Sequence, residues 1–203
     1  YEATGDRDGQ FGAILGVAYE RPDIALRVGL TWEQGVTHEF ETSESFGDFF
    51  DTDDGKTEVD MPQSVTLDFQ TGIAPGTLLF GSVKWTEWSV WEVRTPEYEE
   101  LTGTAVTGID DDAFTYKLGL GRAITDDFSV FGQLTYEPSN GSELSRLSPT
   151  DGRRAIALGG SYTYDNVTFR GGVEYSRRGG GEDGSGVQFD DNDNVSVGLT
   201  IGY

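Results

Sequence analysis

Three basic side chains stand in the middle of segments that otherwise alternate between large apolar and small residues: Lys84, Lys117 and Arg170. Phe80 and Phe131 occupy equivalent alternate positions, on the side of their segments that carries the smaller, more polar residues. A cation near an apolar ring is what a protein needs to hold a carboxylate and the apolar chain attached to it. We therefore regard these five residues as candidates for contacting a ligand.

A simpler role for the three cations is to pair with Asp68 or Glu174, which lie on the same side of other segments. Opposite charges on adjacent strands attract each other. The sequence favours this pairing over ligand binding.

Catalytic and metal chemistry have little support. The chain has no cysteine, and His38 is its only histidine. It also has no G-x-S-x-G motif, the turn that presents a nucleophilic serine in one large class of hydrolases. The segment 51–55 faintly resembles a calcium loop, but its glycine is one position early and no Glu stands at position twelve. We predict no catalytic residue, no metal and no cofactor.

The formal net charge is −22. Nucleic-acid binding needs basic patches that neutralise phosphates, so this charge excludes it as a function. Much of the negative charge lies in the stretches 48–60 and 182–193, which fits solvated loops.

Nine segments show the period-two alternation that is typical of β-strands. Large apolar side chains fall on one face of each segment and small or polar ones on the other. The segments are 11–20, 24–33, 63–73, 79–86, 114–124, 128–136, 155–164, 167–175 and 194–203.

The connections between these segments alternate in length. Short turns lie near Pro22, Pro75, Asp126 and Asp165. Long connections cover about 43–61, 94–112, 138–152 and 177–193. A transmembrane β-barrel has this rhythm, because its strands cross a bilayer with tight turns on one side and long loops on the other. No apolar run approaches the ~18–20 residues of a transmembrane helix.

Two features argue against a soluble sandwich, adhesin or lectin-like fold. Charged residues such as Arg27 and Lys117 recur in mid-strand on the smaller face, where a packed core would make unpaired charge costly. Aromatic residues gather near strand ends, as interfacial girdles do. These are Tyr19, Trp32, Trp85, Tyr136, Tyr162, Tyr164, Tyr175 and Tyr203. The predicted fold is all-β, an antiparallel up-and-down meander of about nine strands.

Bacterial barrels place their short turns in the periplasm and their long loops outside the cell. In that orientation the first strand would start outside the cell and the ninth strand would end in the periplasm. A complete bacterial barrel has an even number of strands, and open strand edges are not tolerated in lipid. We therefore expect residues 1–203 to form a single barrel domain that is the C-terminal portion of a longer barrel.

The stretch Met61–Gly72, with its Pro-x-Ser strand, leads through a short turn to Gly81–Ser89, which contains Trp85-Thr-Glu-Trp88-Ser89. This succession resembles the outer-membrane long-chain fatty-acid transporters of the FadL/TodX type, and the region 148–203 fits the same family. The resemblance covers about 11–203. It implies a fourteen-stranded barrel with an N-terminal hatch, of which this chain would supply the last nine strands.

The resemblance also implies a function and partners. Such proteins lie in the outer membrane of Gram-negative bacteria and take up fatty acids or other hydrophobic compounds passively. The expected partners are a hydrophobic ligand such as a fatty acid, outer-membrane lipids, and the barrel assembly machinery, which would recognise the C-terminal Tyr203. Two alternatives remain: a general porin for polar solutes, and an outer-membrane barrel hydrolase that uses His38.

Overall fold

The computed structural model describes residues 1–47, 53–145 and 148–203. In this part of the chain, short 3-10 turns at Pro22–Ile24 and Trp88–Val90 accompany the following elements: β1 (Glu2–Gly5), β2 (Ile14–Arg21), β3 (Leu26–Glu33), β4 (Val36–Ser45), β5 (Asp53–Met61), β6 (Ser64–Ala74), β7 (Thr77–Thr86), β8 (Glu92–Val93), α1 (Pro96–Thr102), β9 (Thr107–Gly108), β10 (Ala113–Ala123), β11 (Phe128–Glu137), β12 (Asp151–Tyr164), β13 (Val167–Gly179), β14 (Gly181–Glu182), β15 (Gln188–Phe189) and β16 (Asn192–Gly202). None of the described helices is long and apolar enough to cross a membrane.

Nine strands form one antiparallel sheet in the order β16-β13-β12-β11-β10-β7-β6-β3-β2. Each corresponds to one of the nine predicted segments, so the predicted meander is confirmed. The sheet is not closed, because β2 and β16 are its two edges. The predicted short turn near Asp165 is also confirmed, and Asp165 itself has a left-handed backbone conformation, with φ of 51°.

The contacts divide the chain into two compact units. We call Gly16–Thr31, Val65–Trp85 and Ala113–Tyr203 the sheet unit, and Tyr1–Leu15, Trp32–Ser64 and Thr86–Asp112 the hairpin unit.

The strand register separates the sheet unit into an apolar and a polar face. One row of directly paired residues crosses five strands of the apolar face: Leu118, Leu134, Ile156, Tyr175 and Val195. A second row, three positions along, crosses the polar face with four glycines and one phenylalanine: Gly121, Phe131, Gly159, Gly172 and Gly198. Because side chains alternate along a strand, the sequence pattern alone dictates this division.

The apolar face is uncovered. Leu118 is 51 % exposed and Leu158 is 57 % exposed, while the buried apolar side chains among the described residues are Leu144 and Ala155. A water-soluble protein rarely exposes apolar patches of more than a few hundred Å². This apolar face therefore fits contact with lipid.

Aromatic residues border the apolar face at both ends, as the sequence predicts for girdles. Tyr116 and Tyr136 pair directly at the end nearest the long connections, and their ring centroids are 6.5 Å apart. Phe128 and Tyr162 pair at the short-turn end. From Phe128 to Tyr136 the strand advances by about 27 Å at ~3.4 Å per residue, or about 20 Å of membrane thickness at the usual tilt of about 40°. This is close to the ~25 Å apolar band of membrane barrels.

The hairpin unit corrects one prediction. The region 43–61 is not wholly an irregular acidic connection, since β4 pairs with β5 in register from Val36↔Met61 to Glu44↔Asp53. β1 adds a third strand by pairing with β4. Side chains alternate in direction along both strands, as in any β-strand. Because many of them on both faces are carboxylates, the alternation of apolar and polar residues that predicted the other strands is missing here. Part of the segment compared with a calcium loop, residues 51 and 52, lies outside the described residues.

Glu44 anchors the hairpin unit internally. It is only 2 % exposed, and its carboxylate accepts hydrogen bonds from the Tyr1 hydroxyl at 2.7 Å and from the backbone N–H groups of Glu97 and Tyr98 at 2.8 and 3.2 Å. Burial alone would raise the pKa of Glu44, but hydrogen bonds from Thr95, Tyr1 and these backbone groups outweigh it and hold the pKa below its ordinary value. The ionised carboxylate therefore ties the first turn of α1 to β4.

Acid should weaken this tie. Because the folded-state pKa of Glu44 lies below the ordinary 4.5, its stabilisation is complete above that pH and is lost as the pH falls through the folded value. At neutral pH, Glu44→Gln should reduce hydrogen-exchange protection of the Glu97 and Tyr98 amides by about tenfold, because hydrogen bonds to a charged group contribute about 1.5–3 kcal/mol. The matched control is Glu41→Gln, which changes an exposed carboxylate on the same strand. Equal protection in both variants would contradict the anchoring role.

Candidate functional site

The polar face of the sheet unit contains an open recess of about 730 Å³. Residues from β2, β3, β6, β7, β10 and β11 line it. Its polar and aromatic lining includes Arg27, Asp68, Gln70, Phe80, Lys117 and Gln133. Alternation along the strands explains this set, because each of these residues lies on the smaller face that the sequence pattern defines.

Glycines on adjacent strands make room for the aromatic rings of the polar face. A Cβ atom at Gly119 would lie 2.4 Å from Cζ of Phe80. A Cβ at Gly159 would likewise lie 2.5 Å from Cε1 of Phe131. Each ring therefore rests against the backbone of its neighbour strand. The polar face of the sheet unit thus carries aromatic surface that protrudes little.

The charges in the recess are unevenly paired. Arg27 Nε lies 3.3 Å from Glu20 Oε1, and both side chains are more than half exposed, so this ion pair contributes little. Lys117 is exposed, and neither Lys117 nor Asp68 makes a salt bridge with any described residue. The recess thus offers the Lys117 ammonium group, the Phe80 ring and a carboxylate on β6.

The predicted pairing of candidate cations with Glu174 is wrong. Arg153 binds the Glu174 carboxylate through its Nη2 group, reaching it from the end of β12 nearest the long connections. Arg170 lies farther down β13, directly opposite Ser161 and Thr200. It is exposed and makes no salt bridge within the described part of the chain.

The recess brings together two of the five predicted ligand-contacting residues, Phe80 and Lys117. The other three do not line it. Lys84 is half-buried on β7 and already engaged in a non-covalent contact, and Phe131 rests against β12. Whether any of the five contacts a ligand remains a prediction.

Sequence reasoning did not select three polar residues of the recess as ligand contacts: Arg27, Gln70 and Gln133. The available signal was their position on the smaller face at mid-strand. Many other residues share this position, and the sequence does not show which strands curve towards one another. The position alone therefore does not select these three residues.

His38 lies in the hairpin unit, where its ring contacts Asp8 and Phe40. Its Nδ1 is 3.0 Å from Asp8 Oδ2, and its ring stacks on Phe40 with centroids 5.9 Å apart. No group of three or more His, Asp or Glu side chains in the described ranges is placed to hold a metal ion. For the hydrolase alternative, the structure provides a pair formed by His38 and Asp8, and the sequence has no G-x-S-x-G motif to supply a nucleophile beside it.

No protein-family profile and no curated protein matches the sequence. Solved structures do match. A FadL homologue from Pseudomonas aeruginosa aligns with a TM-score of 0.61 and 15 % identity over 94 % of this chain and 50 % of its own. The CymD monoaromatic hydrocarbon channel aligns with a TM-score of 0.52 and 14 % identity over 94 % and 49 %. A TodX monoaromatic hydrocarbon channel with the deltaS2S3 mutation gives 0.57 and 16 % over 94 % and 48 %.

At these identities the matches establish the fold. The chain spans about half the length of each structure, and its nine-stranded sheet is unclosed, which is consistent with a portion of a larger barrel. The resemblance read from the residues around Trp85 is thereby confirmed at the level of architecture: the chain has the fold of a C-terminal portion of the FadL- and TodX-type channels.

Proposed function

We propose that the chain forms part of the wall of an outer-membrane channel in a Gram-negative bacterium, through which hydrophobic compounds enter passively. We further propose that the preferred compounds are amphipathic anions such as long-chain fatty acids. The observation that carries this proposal is the recess in which Lys117, without an ion-pair partner among the described residues, lies with Phe80 on the polar face.

The two halves of such a ligand would be held separately. The Lys117 ammonium group provides a charge-assisted hydrogen bond to the carboxylate. The open part of the half-buried Phe80 ring takes the first part of the acyl chain, and the small residues of the polar face leave room for the rest. Arg27 stands on the same recess and provides a second cation if its exposed contact with Glu20 opens.

The structurally similar channels suggest a different ligand class from fatty acids. CymD and TodX are described as channels for monoaromatic hydrocarbons, which carry no charge. An uncharged ligand would use Phe80 and gain nothing from Lys117. The Lys117 cation therefore favours a fatty acid over a hydrocarbon, provided that the carboxylate is held away from Asp68.

The test is binding of oleate and of oleyl alcohol to the full-length protein in detergent. Lys117→Ala should weaken oleate binding by about tenfold or more, because a hydrogen bond to a charged group contributes about 1.5–3 kcal/mol and each 1.4 kcal/mol is tenfold. It should leave oleyl alcohol binding unchanged, whereas Phe80→Leu should weaken both. Lys84→Ala and Arg122→Ala are matched controls, since neither residue lines the recess.

Three outcomes would contradict the proposal. Unchanged oleate affinity in Lys117→Ala would remove this residue from the site. Tighter binding of toluene than of oleate would favour a hydrocarbon channel. A large steady salt conductance in planar bilayers, insensitive to oleate, would favour a general porin.

Two further roles follow from the membrane setting. Lipids of the outer membrane would cover the apolar face. We also propose that Tyr203, which is fully exposed after β16, belongs to the signal recognised by the barrel assembly machinery.

A further inference from the structure

The most unusual charge pattern of the sheet unit lies at the end of β12 and β13 nearest the long connections. Arg153 pairs directly with Arg178, and Arg154 pairs directly with Arg177. Like charges placed opposite each other on neighbouring strands repel. Two such pairs in succession are unexpected in a chain with 14 basic and 36 acidic residues.

One of these pairs lies on the apolar face. The register places five residues in a single cross-strand row next to the apolar row of Leu118: Tyr116, Tyr136, Arg154, Arg177 and Asp193. Arginine thus replaces aliphatic residues where the apolar face ends and the aromatic girdle begins. The Arg154 guanidinium carbon lies 6.0 Å from the centre of the Tyr136 ring.

A recess of about 420 Å³ opens beside this row, between Arg154 and the connections that follow β11 and β13. Its carboxylates already have donors. Asp151 accepts from the Ser139 hydroxyl at 2.5 Å and from the backbone N–H groups of Asn140 and Gly141 at 2.9 and 2.8 Å. Asp191 accepts from the Arg177 guanidinium at 2.7 Å and from the Gly180 N–H at 3.0 Å.

Arg154 is the exception. It is exposed, and no described carboxylate forms a salt bridge with it. Its guanidinium group therefore keeps its hydrogen-bond donors available at the boundary between apolar surface and water. Arginine binds phosphate in a bidentate manner, and Arg177, whose Nε and Nη2 already donate to Asp191, keeps its Nη1 group for an anion that Arg154 holds.

We propose that Arg154, with Arg177 and the Tyr136 ring, binds the anionic phosphorylated head group of a lipid, one with a net negative charge, in the membrane leaflet at the long-connection end. The lipid's acyl chains would lie along Ile156 and Leu158, and its phosphate would meet the two guanidinium groups. This inference rests on the proposed membrane setting of the apolar face and not on the transported ligand.

Native mass spectrometry of the delipidated full-length protein in detergent tests the proposal. Diphosphoryl lipid A should bind, and Arg154→Gln should weaken its binding by about fivefold, with a larger loss in the Arg154→Gln, Arg177→Gln double variant. Arg154→Lys should retain part of the affinity. Arg122→Gln is the matched control, because it removes the same charge at the short-turn end, where Arg122 binds Thr77.

Equal binding by Arg154→Gln and the unchanged protein would overturn the proposal, as would equal binding of phosphatidylcholine. Displacement of lipid A by millimolar inorganic phosphate would overturn it too, since the site would then accept a free anion. Oleate binding, measured in parallel, separates the proposed lipid site from the proposed fatty-acid transport. Arg154→Gln should leave oleate binding unchanged.

Discussion

Leu158→Arg should destabilise the full-length protein in lipid bilayers by about 2–4 kcal/mol, the usual cost of a basic residue on the lipid-facing side at the middle of a barrel. Leu158 lies midway along β12 on the apolar face and is 57 % exposed. In water, the same change at an exposed leucine would cost little. The size of the effect therefore reports whether lipid or water covers this face.

The matched control is Ala157→Arg, one residue earlier on the same strand. Ala157 points to the polar face, directly opposite Gln133 and Glu174. Urea titration of the folded protein in phospholipid vesicles, followed by tryptophan fluorescence, measures both variants. If Ala157→Arg were the more damaging change, the assignment of the two faces would be reversed and the transport proposal would fail with it.

Gly119→Ala should also be strongly destabilising, by about 1–3 kcal/mol from overpacking. The added Cβ would meet not only the Phe80 ring at 2.4 Å but also the backbone oxygen of Gly132 at 2.8 Å. Rotation of Phe80 relieves the first contact, whereas the second requires β10 and β11 to separate. Gly198→Ala is the control, because its Cβ would have no neighbour within 4 Å.

The same urea titration, with heat-modified migration on gels as a check of folding, compares these glycine variants. A double variant, Gly119→Ala with Phe80→Ala, should recover only part of the loss, because the backbone contact persists. Full recovery would mean that the ring alone requires a glycine at position 119.

The sequence predicted the nine sheet strands because the two faces of the sheet place opposite demands on successive side chains, as the proposed lipid-facing side and wet interior would require. A segment such as β10 therefore alternates large apolar with small or polar residues over its whole length. The pairing of β4 with β5 was not predicted, because both faces of that hairpin are polar and no solvent difference marks the alternation. β1 pairs with a strand more than thirty residues away, and no local pattern encodes such a contact.

The candidate site was predictable only in part, for a related reason. Alternation places Lys117 and Phe80 on the polar face, but every strand contributes some residues to that face. Which of them converge depends on strand register and on sheet twist. The contact between Arg153 and Glu174, for example, depends on a register that pairs Arg153 with Arg178 and Ala157 with Glu174, and neither strand alone encodes it. The sequence thus identifies the face and the structure selects the residues.

The scarcity of buried apolar side chains has a consequence for how this chain tolerates change. In an ordinary domain, truncating a core leucine leaves a void that rigid neighbours cannot fill, and this adds to the loss of stability. At Ile156 or Val195 the neighbours on the outward side would be fluid acyl chains, which close over a missing methyl group. Exchange among aliphatic residues should therefore be mild on this surface. The strict steric requirements of the fold lie instead where rings rest on glycines.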